Sequence, residues 1–207
     1  MFRVTSCALL AALLLFPPAP SSAQIRLIPS VGVYTPFTDL PSPSQAFDVG
    51  KKESTLAYGV AAEIGTPDKV SLRVNLLRAT DSEVPVSSFG CDNDCARSTV
   101  TSATATLVLR PLPRIVLVQP FLLAGGGVKR YDYTRQDFDD EGLGTLFSDK
   151  NLLSGHLGIG AELGFGPLHL TAELSDLLSR FSSDQAGSGS NDLQHDVFFT
   201  LGLVIGG

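Results

Sequence analysis

Charged and imidazole groups recur in this chain between apolar neighbours, a pattern that sets them together on one side of an extended strand. Glu63, Arg73, Glu162 and Glu173, with Asn75 and His169, sit this way in four separate stretches. If those stretches converge, the groups can neutralise one another, and they must, because an unpaired charge in a narrow interior costs several kcal/mol. Arg73 is expected to bridge two or more of the carboxylates. With three carboxylates to one arginine, one carboxyl is open to protonation. The second chemistry to weigh is nucleophilic: His156, His169 and His195 lie in stretches that also hold Ser154, Ser175 and Ser179, the residue types of a Ser–His–acid site. The plainer reading makes each histidine a polar residue of the interior or of a loop.

The elements that must position these groups begin after an export signal. Arg3 supplies a positive start, Cys7 to Phe16 is an unbroken apolar run, and Ser21-Ser22-Ala23 offers small residues for cleavage before Gln24. Residues 1–23 are therefore predicted to be a signal peptide and 24–207 one mature domain. The apolar run is too short for a membrane-spanning helix, and no later stretch reaches the roughly 20 residues one needs. Export to an oxidising compartment predicts a disulfide between Cys91 and Cys95, in Cys91-Asp92-Asn93-Asp94-Cys95, over a metal site built from two thiolates and two aspartates.

Alternation with period two predicts strands near Ile25–Tyr34, Thr55–Ile64, Val70–Thr80, Ser98–Leu109, Ile115–Tyr133, Leu152–Leu163, Leu168–Leu178 and His195–Ile205. The connections alternate in length. Gly65–Lys69, Arg110–Arg114 and Gly164–Pro167 are tight turns containing Gly or Pro. Thr35–Ser54, Asp81–Arg97, Thr134–Lys150 and Ser179–Gln194 are long and rich in Asp, Ser, Gly and Pro. Short turns at one end and long loops at the other, with an even strand count, describe a closed antiparallel up-and-down eight-stranded transmembrane β-barrel with loops outside the cell and termini in the periplasm.

One face of the strands is consistently apolar: Leu56, Tyr58, Val60, Ala62 and Ile64 in the second; Val70, Leu72, Val74 and Leu76 in the third; Leu157, Ile159, Ala161 and Leu163 in the sixth; Val197, Phe199, Leu201, Leu203 and Ile205 in the last. The other face is small and polar. A secreted soluble calyx of the lipocalin type would show the same alternation with its faces exchanged. Composition favours the membrane barrel, with the calyx as the alternative: 17% charged residues lies below the roughly 25% usual for soluble domains. The small polar face then lines a narrow lumen, and Arg at Leu157 or Leu201 is expected to harm insertion more than Arg at Ser71. Tyr34, Phe37, Tyr131 and Tyr133, near the loop end, are candidates for an outer aromatic girdle.

The chain resembles the small outer-membrane barrels of the OmpA-transmembrane and OmpX type. The matching pieces are Pro29-Ser30-Val31-Gly32-Val33-Tyr34, Tyr58-Gly59-Val60-Ala61-Ala62-Glu63, and Gln119-Pro120-Phe121-Leu122-Leu123-Ala124-Gly125-Gly126-Gly127. The resemblance implies a protein inserted by the barrel-assembly machinery among outer-membrane lipid and lipopolysaccharide. Family members usually end on an aromatic residue that this machinery reads, whereas this chain ends Leu203-Val204-Ile205-Gly206-Gly207. In a bore that side chains just fill, the cluster of Glu63, Arg73, Glu162, Glu173 and His169 reads as a plug, and the lumenal ion pairs of the resembled family make a gate in a narrow ion or solute pore the alternative.

Some eight-stranded outer-membrane barrels are lipid A deacylases or palmitoyltransferases. None of the three histidines here has a serine two residues downstream, and Ser154 and His156 fall on the lumenal face, so no catalytic residue is assigned. No cofactor is predicted. The acidic loop pieces Asp137-Phe138-Asp139-Asp140-Glu141 and Asp92-Asn93-Asp94 lack the spacing of a defined calcium loop, and Ala186 to Ser190 reads as a Gly- and Ser-rich loop tip. A net charge of −6 gives no basis for binding nucleic acid. The expected function is non-enzymatic, in envelope integrity or in contact with an extracellular ligand through the four loops.

Overall fold

A computed structural model describes residues 24–38, 53–66, 69–84, 96–112, 117–134, 150–165, 168–180 and 193–206. The predicted signal peptide, the Cys91–Cys95 disulfide and the acidic and Gly/Ser-rich loop pieces all lie outside these residues. The eight strands are β1 (Gln24–Pro36), β2 (Thr55–Gly65), β3 (Val70–Val84), β4 (Ala96–Leu109), β5 (Val118–Thr134), β6 (Lys150–Phe165), β7 (Leu168–Arg180) and β8 (Leu193–Val204). Each pairs antiparallel with its sequence neighbours, and β8 returns to β1 to close the barrel.

Closure has a measurable stagger. The paired row that starts at Arg26 runs through Glu63, Arg73, Thr106, Gly125, His156, Leu177 and Asp196, and re-enters β1 at Pro36 rather than at Arg26. Rows therefore climb as they circle, the strands tilt against the barrel axis, and the bore is only wide enough for side chains to fill. Eleven residues of a strand tilted by about 40° rise roughly 28 Å, which matches the apolar band of roughly 25 Å on such barrels.

Several strands outrun the predicted ends. β3 continues past Thr80 to Val84 by crossing a register shift between Ala79 and Ser82, after which Ser82, Glu83 and Val84 pair with Ser98, Arg97 and Ala96. β5 starts at Val118, with Leu117 in a turn. The β2–β3 turn rests on Gly65, whose φ of 145° suits glycine and whose Cβ would meet Ser71 Cα at 2.7 Å. At the seam, β1 and β8 pair from Ser30 to Pro36. Below the interruption at Pro29, which has no N–H to give the ladder, Leu27 and Ile205 exchange hydrogen bonds of 2.9 and 2.8 Å.

The burial pattern is inverted relative to a water-soluble protein. Leu56, Val60, Leu76, Leu157, Ile159, Leu174 and Leu201 are exposed on the outer surface, while Arg26, Arg73, Glu63, Glu162 and Lys129 are buried inside.

Candidate functional site in the barrel lumen

At the end with the short turns, Glu63 on β2 is the centre of an ionic network. Arg73 faces it across the β2–β3 pair and donates from Nε and Nη2 to its Oε2 at 2.9 and 2.6 Å, while Nη1 reaches Glu173 Oε2 on β7 at 2.8 Å. Arg26, opposite Glu63 on β1, donates from Nη2 to Glu63 Oε1 at 2.7 Å and from Nη1 to Glu162 Oε2 on β6 at 2.9 Å. Arg110 follows β4 directly and turns back into the bore, donating to Glu63 Oε1 at 2.7 Å and to Ser71 Oγ at 2.9 Å. Ser71 Oγ donates in turn to Glu63 Oε1 at 2.7 Å. His169 Nδ1 lies 2.7 Å from Glu162 Oε1.

The structure thus brings Glu63, Arg73, Glu162, Glu173 and His169 into one connected group. It places Asn75 one step further up β3, where Nδ2 donates to Thr106 Oγ1 at 3.2 Å and, more weakly, to Thr104 Oγ1 at 3.4 Å. The expected excess of carboxylates is corrected: Arg26 and Arg110 supply the missing charge, so three guanidinium groups meet three carboxylates. The ring of Phe121 forms a floor under the arginines, its centroid 5.0 Å from Arg73 Cζ and 5.9 Å from Arg110 Cζ. That ring lies over Gly160, where a Cβ would meet Phe121 Cζ at 2.4 Å, so the bare position makes room for it.

Of these two arginines, only Arg26 is legible in the sequence. Arg26 alternates with Ile25 and Leu27, which face outward, and that phase alone assigns it to the lumen. Arg110 was hidden because a residue in a tight turn carries no strand phase.

A second polar group closes the loop end. Lys129 on β5 makes an ion pair with Asp196 on β8, whose carboxylate also accepts from Tyr131 Oη and, at 2.6 Å, from Tyr34 Oη. Tyr131 Oη is also 3.1 Å from Gln194 Oε1. Ala57, Leu77, Ala79, Val100, Leu177 and Phe198 pack around this group. The expectation of an outer girdle is therefore corrected for Tyr34 and Tyr131: both are fully buried and point inward, in phase with Arg26 and Phe121 respectively. Phe37 does face outward and is 60% exposed, and the side chain of Tyr133 lies outside the described residues.

Between the two groups, His156 is buried with Nδ1 2.8 Å from Thr104 Oγ1. Ser154 Oγ has no hydrogen-bond partner among the described residues, so the structure does not join it to His156. His195 and Asp176 form an outward-facing pair at 2.7 Å, and this pair gains no serine from its own strands, where Val197 and Leu178 are its outward neighbours. Among the described residues no group of three or more His, Cys, Asp or Glu gathers to hold a metal ion.

The sequence matches no family model and no curated protein. Its fold does match solved structures. The outer membrane protein OprG from Pseudomonas aeruginosa is 12% identical with a TM-score of 0.56, over 90% of this chain and 98% of that one. Neisserial surface protein A (NspA) is 14% identical with a TM-score of 0.51, over 89% and 97%. The architecture is that of the small eight-stranded outer-membrane barrels.

Proposed function

We propose that this chain is a non-enzymatic outer-membrane barrel, exported by residues 1–23, whose lumen is closed by its own side chains and whose loop end serves envelope integrity or surface contact. The observation that carries this reading is the inverted polarity of the wall. Leu, Val or Ile faces outward on every strand, while the arginines and glutamates of the base are buried and mutually neutralised. A soluble calyx would need the reverse, since an interior of ion pairs offers no site to an apolar ligand and an exterior of leucine offers water no polar surface.

The ionic groups favour a plug over a pore. The basal network links β1, β2, β3, β6 and β7, with Arg110 joining from the end of β4, and the loop-end group links β1, β5 and β8. The barrel-assembly machinery and outer-membrane lipid are the proposed partners, with an extracellular ligand of the loops; Cys91 and Cys95 are proposed to tie one loop by a disulfide.

The test is electrophoretic migration of the membrane-fraction protein in detergent with and without boiling. A closed barrel is expected to migrate differently until heated. A soluble protein with a single mobility would overturn the assignment and return the calyx.

A further inference from the structure

Among the described residues, the arginines that the lumen does not use are distributed unevenly. Arg78, Arg97, Arg130 and Arg180 all point outward, and all sit at the loop end of their strands. Below Arg78, β3 presents Leu76, Val74, Leu72 and Val70 to the outside, and no described strand residue lower on the outer wall is a Lys or Arg. Three of the four are neighbours. Arg78 on β3 pairs across with Thr101 on β4, and Thr101 with Arg130 on β5, so two guanidinium groups flank one threonine in a single row. Arg97 lies above Thr101 on the same face of β4. Asp132, two residues nearer the loop on the same face, accepts from Arg130 Nε.

The wall beneath this row is unusual for its lack of bulk. Ala105 pairs with Gly126 and Gly126 with Gly155, while Ala103 and Ala124 lie just above and below on the same face. Alanine also faces outward at Ala62, Ala161 and Ala172, but there Val60, Ile159 and Leu174 stand between it and the arginines of the loop end. The result is a shallow trough of small residues running down from the arginines into the apolar band. A concentration of cations at the polar boundary, continuous with a trough in the apolar band, complements a molecule with an anionic head and an extended hydrocarbon tail.

Resting on the outer-membrane reading above, we infer that the β3–β5 face is a docking site for a phosphorylated, multiply acylated glycolipid of the outer leaflet. Its phosphate sits among Arg78, Arg97 and Arg130 and one acyl chain lies along Ala103, Ala105 and Gly126. Arginine suits this head because its planar fork gives two parallel hydrogen bonds to a phosphate, which a single ammonium cannot. Thr101 stands between the forks as a neutral hydroxyl able to bond a phosphate oxygen.

The test is native mass spectrometry of the full chain in detergent, with bisphosphorylated lipid A as the probe. The wild type is expected to retain it. The double variant R78Q/R130Q should lose about tenfold or more in affinity, the loss of charge-assisted hydrogen bonds. Ala105→Leu, which fills the trough and leaves every charge in place, should weaken binding as well. Arg180→Gln, on β7 and away from the site, should not.

Unchanged binding by R78Q/R130Q, equal retention of dephosphorylated lipid A, or equal retention of phosphatidylglycerol would each overturn the inference. Displacement by millimolar inorganic phosphate would do so too, as it would reduce the site to one for a free anion. The heat-dependent gel shift is read on the same samples. Its loss in the wild type would count against the barrel, whereas its presence with indifferent arginines counts only against the lipid site.

Discussion

Among the described residues, Glu63 has a position no other lumenal carboxylate shares, since it accepts from Arg26, Arg73, Arg110 and Ser71 at once. Glu63→Gln keeps the shape and removes the charge, which leaves three guanidinium groups facing two carboxylates in a buried site. Breaking a buried ionic group from one side costs about 3–5 kcal/mol. The variant is expected to unfold at clearly lower urea than the wild type when followed by far-ultraviolet circular dichroism, and an unchanged midpoint would mean that water reaches the network. At this scale the sequence was readable wherever strand phase applied. Glu63, Arg73, Glu162 and Glu173 could be placed by parity alone, and parity would also have turned Tyr34 and Tyr131 inward, because Val33 and Arg130 beside them face out. Affinity of tyrosine for the membrane boundary suggested the girdle, but a buried Asp196 needing donors held them inside.

Among the elements, the strands were legible because one face of each is packed by lipid-like residues and the other by small or polar ones, so the period of two survives along the whole wall. Their ends were less so: nothing in the composition of Asp81 to Val84 marks a strand, and the ladder continues there because the bulge after Ala79 restores pairing with Ala96 to Ser98. The outward phase carries a direct consequence. Leu157→Arg and Leu201→Arg, both about half exposed on the outer wall, should each lower insertion into lipid vesicles by roughly 2–4 kcal/mol near the midplane. Ser71→Arg is no longer the mild control that parity alone implied, because Ser71 Oγ already lies 2.9 Å from Arg110 and a fourth guanidinium has no carboxylate left to meet. It is expected to insert yet unfold early, and failure of all three variants to insert would contradict the phase. The β1–β8 seam offers an independent check at Gly32, where a Cβ would come within 1.9 Å of the Phe199 carbonyl oxygen. Gly32→Ala should lose the gel shift at a lower temperature than the wild type, whereas an equal transition would show that the two strands can separate slightly there.

For the molecule as a whole, the two polar groups stand in series along one bore, so opening either leaves the other in place. Planar-bilayer recordings of the wild type are expected to show no discrete current steps. Removing two of the six basal charges, in E63A/R73A, should leave the membrane silent because Lys129, Asp196 and the two tyrosines still occupy the loop end. Steps from the wild type would return the narrow pore as the function. The closed architecture could be read from the alternation of short and long connections, but the stagger that carries the Arg26 row round to Pro36 could not, since it arises only when eight tilted strands meet. That stagger makes β1 the partner of both polar groups. Arg26 completes Glu162 on β6, and Tyr34 completes Asp196 on β8, so neither carboxylate has its full set of donors until the last strand finds the first. A half-made wall is thus greasy on one side and charged without counterpart on the other, and it is distinguishable by that defect from a finished one. Completion is in this sense written into the first strand: Arg26 and Tyr34 reach their partners only when the ring closes, so closure satisfies both polar groups in a single step.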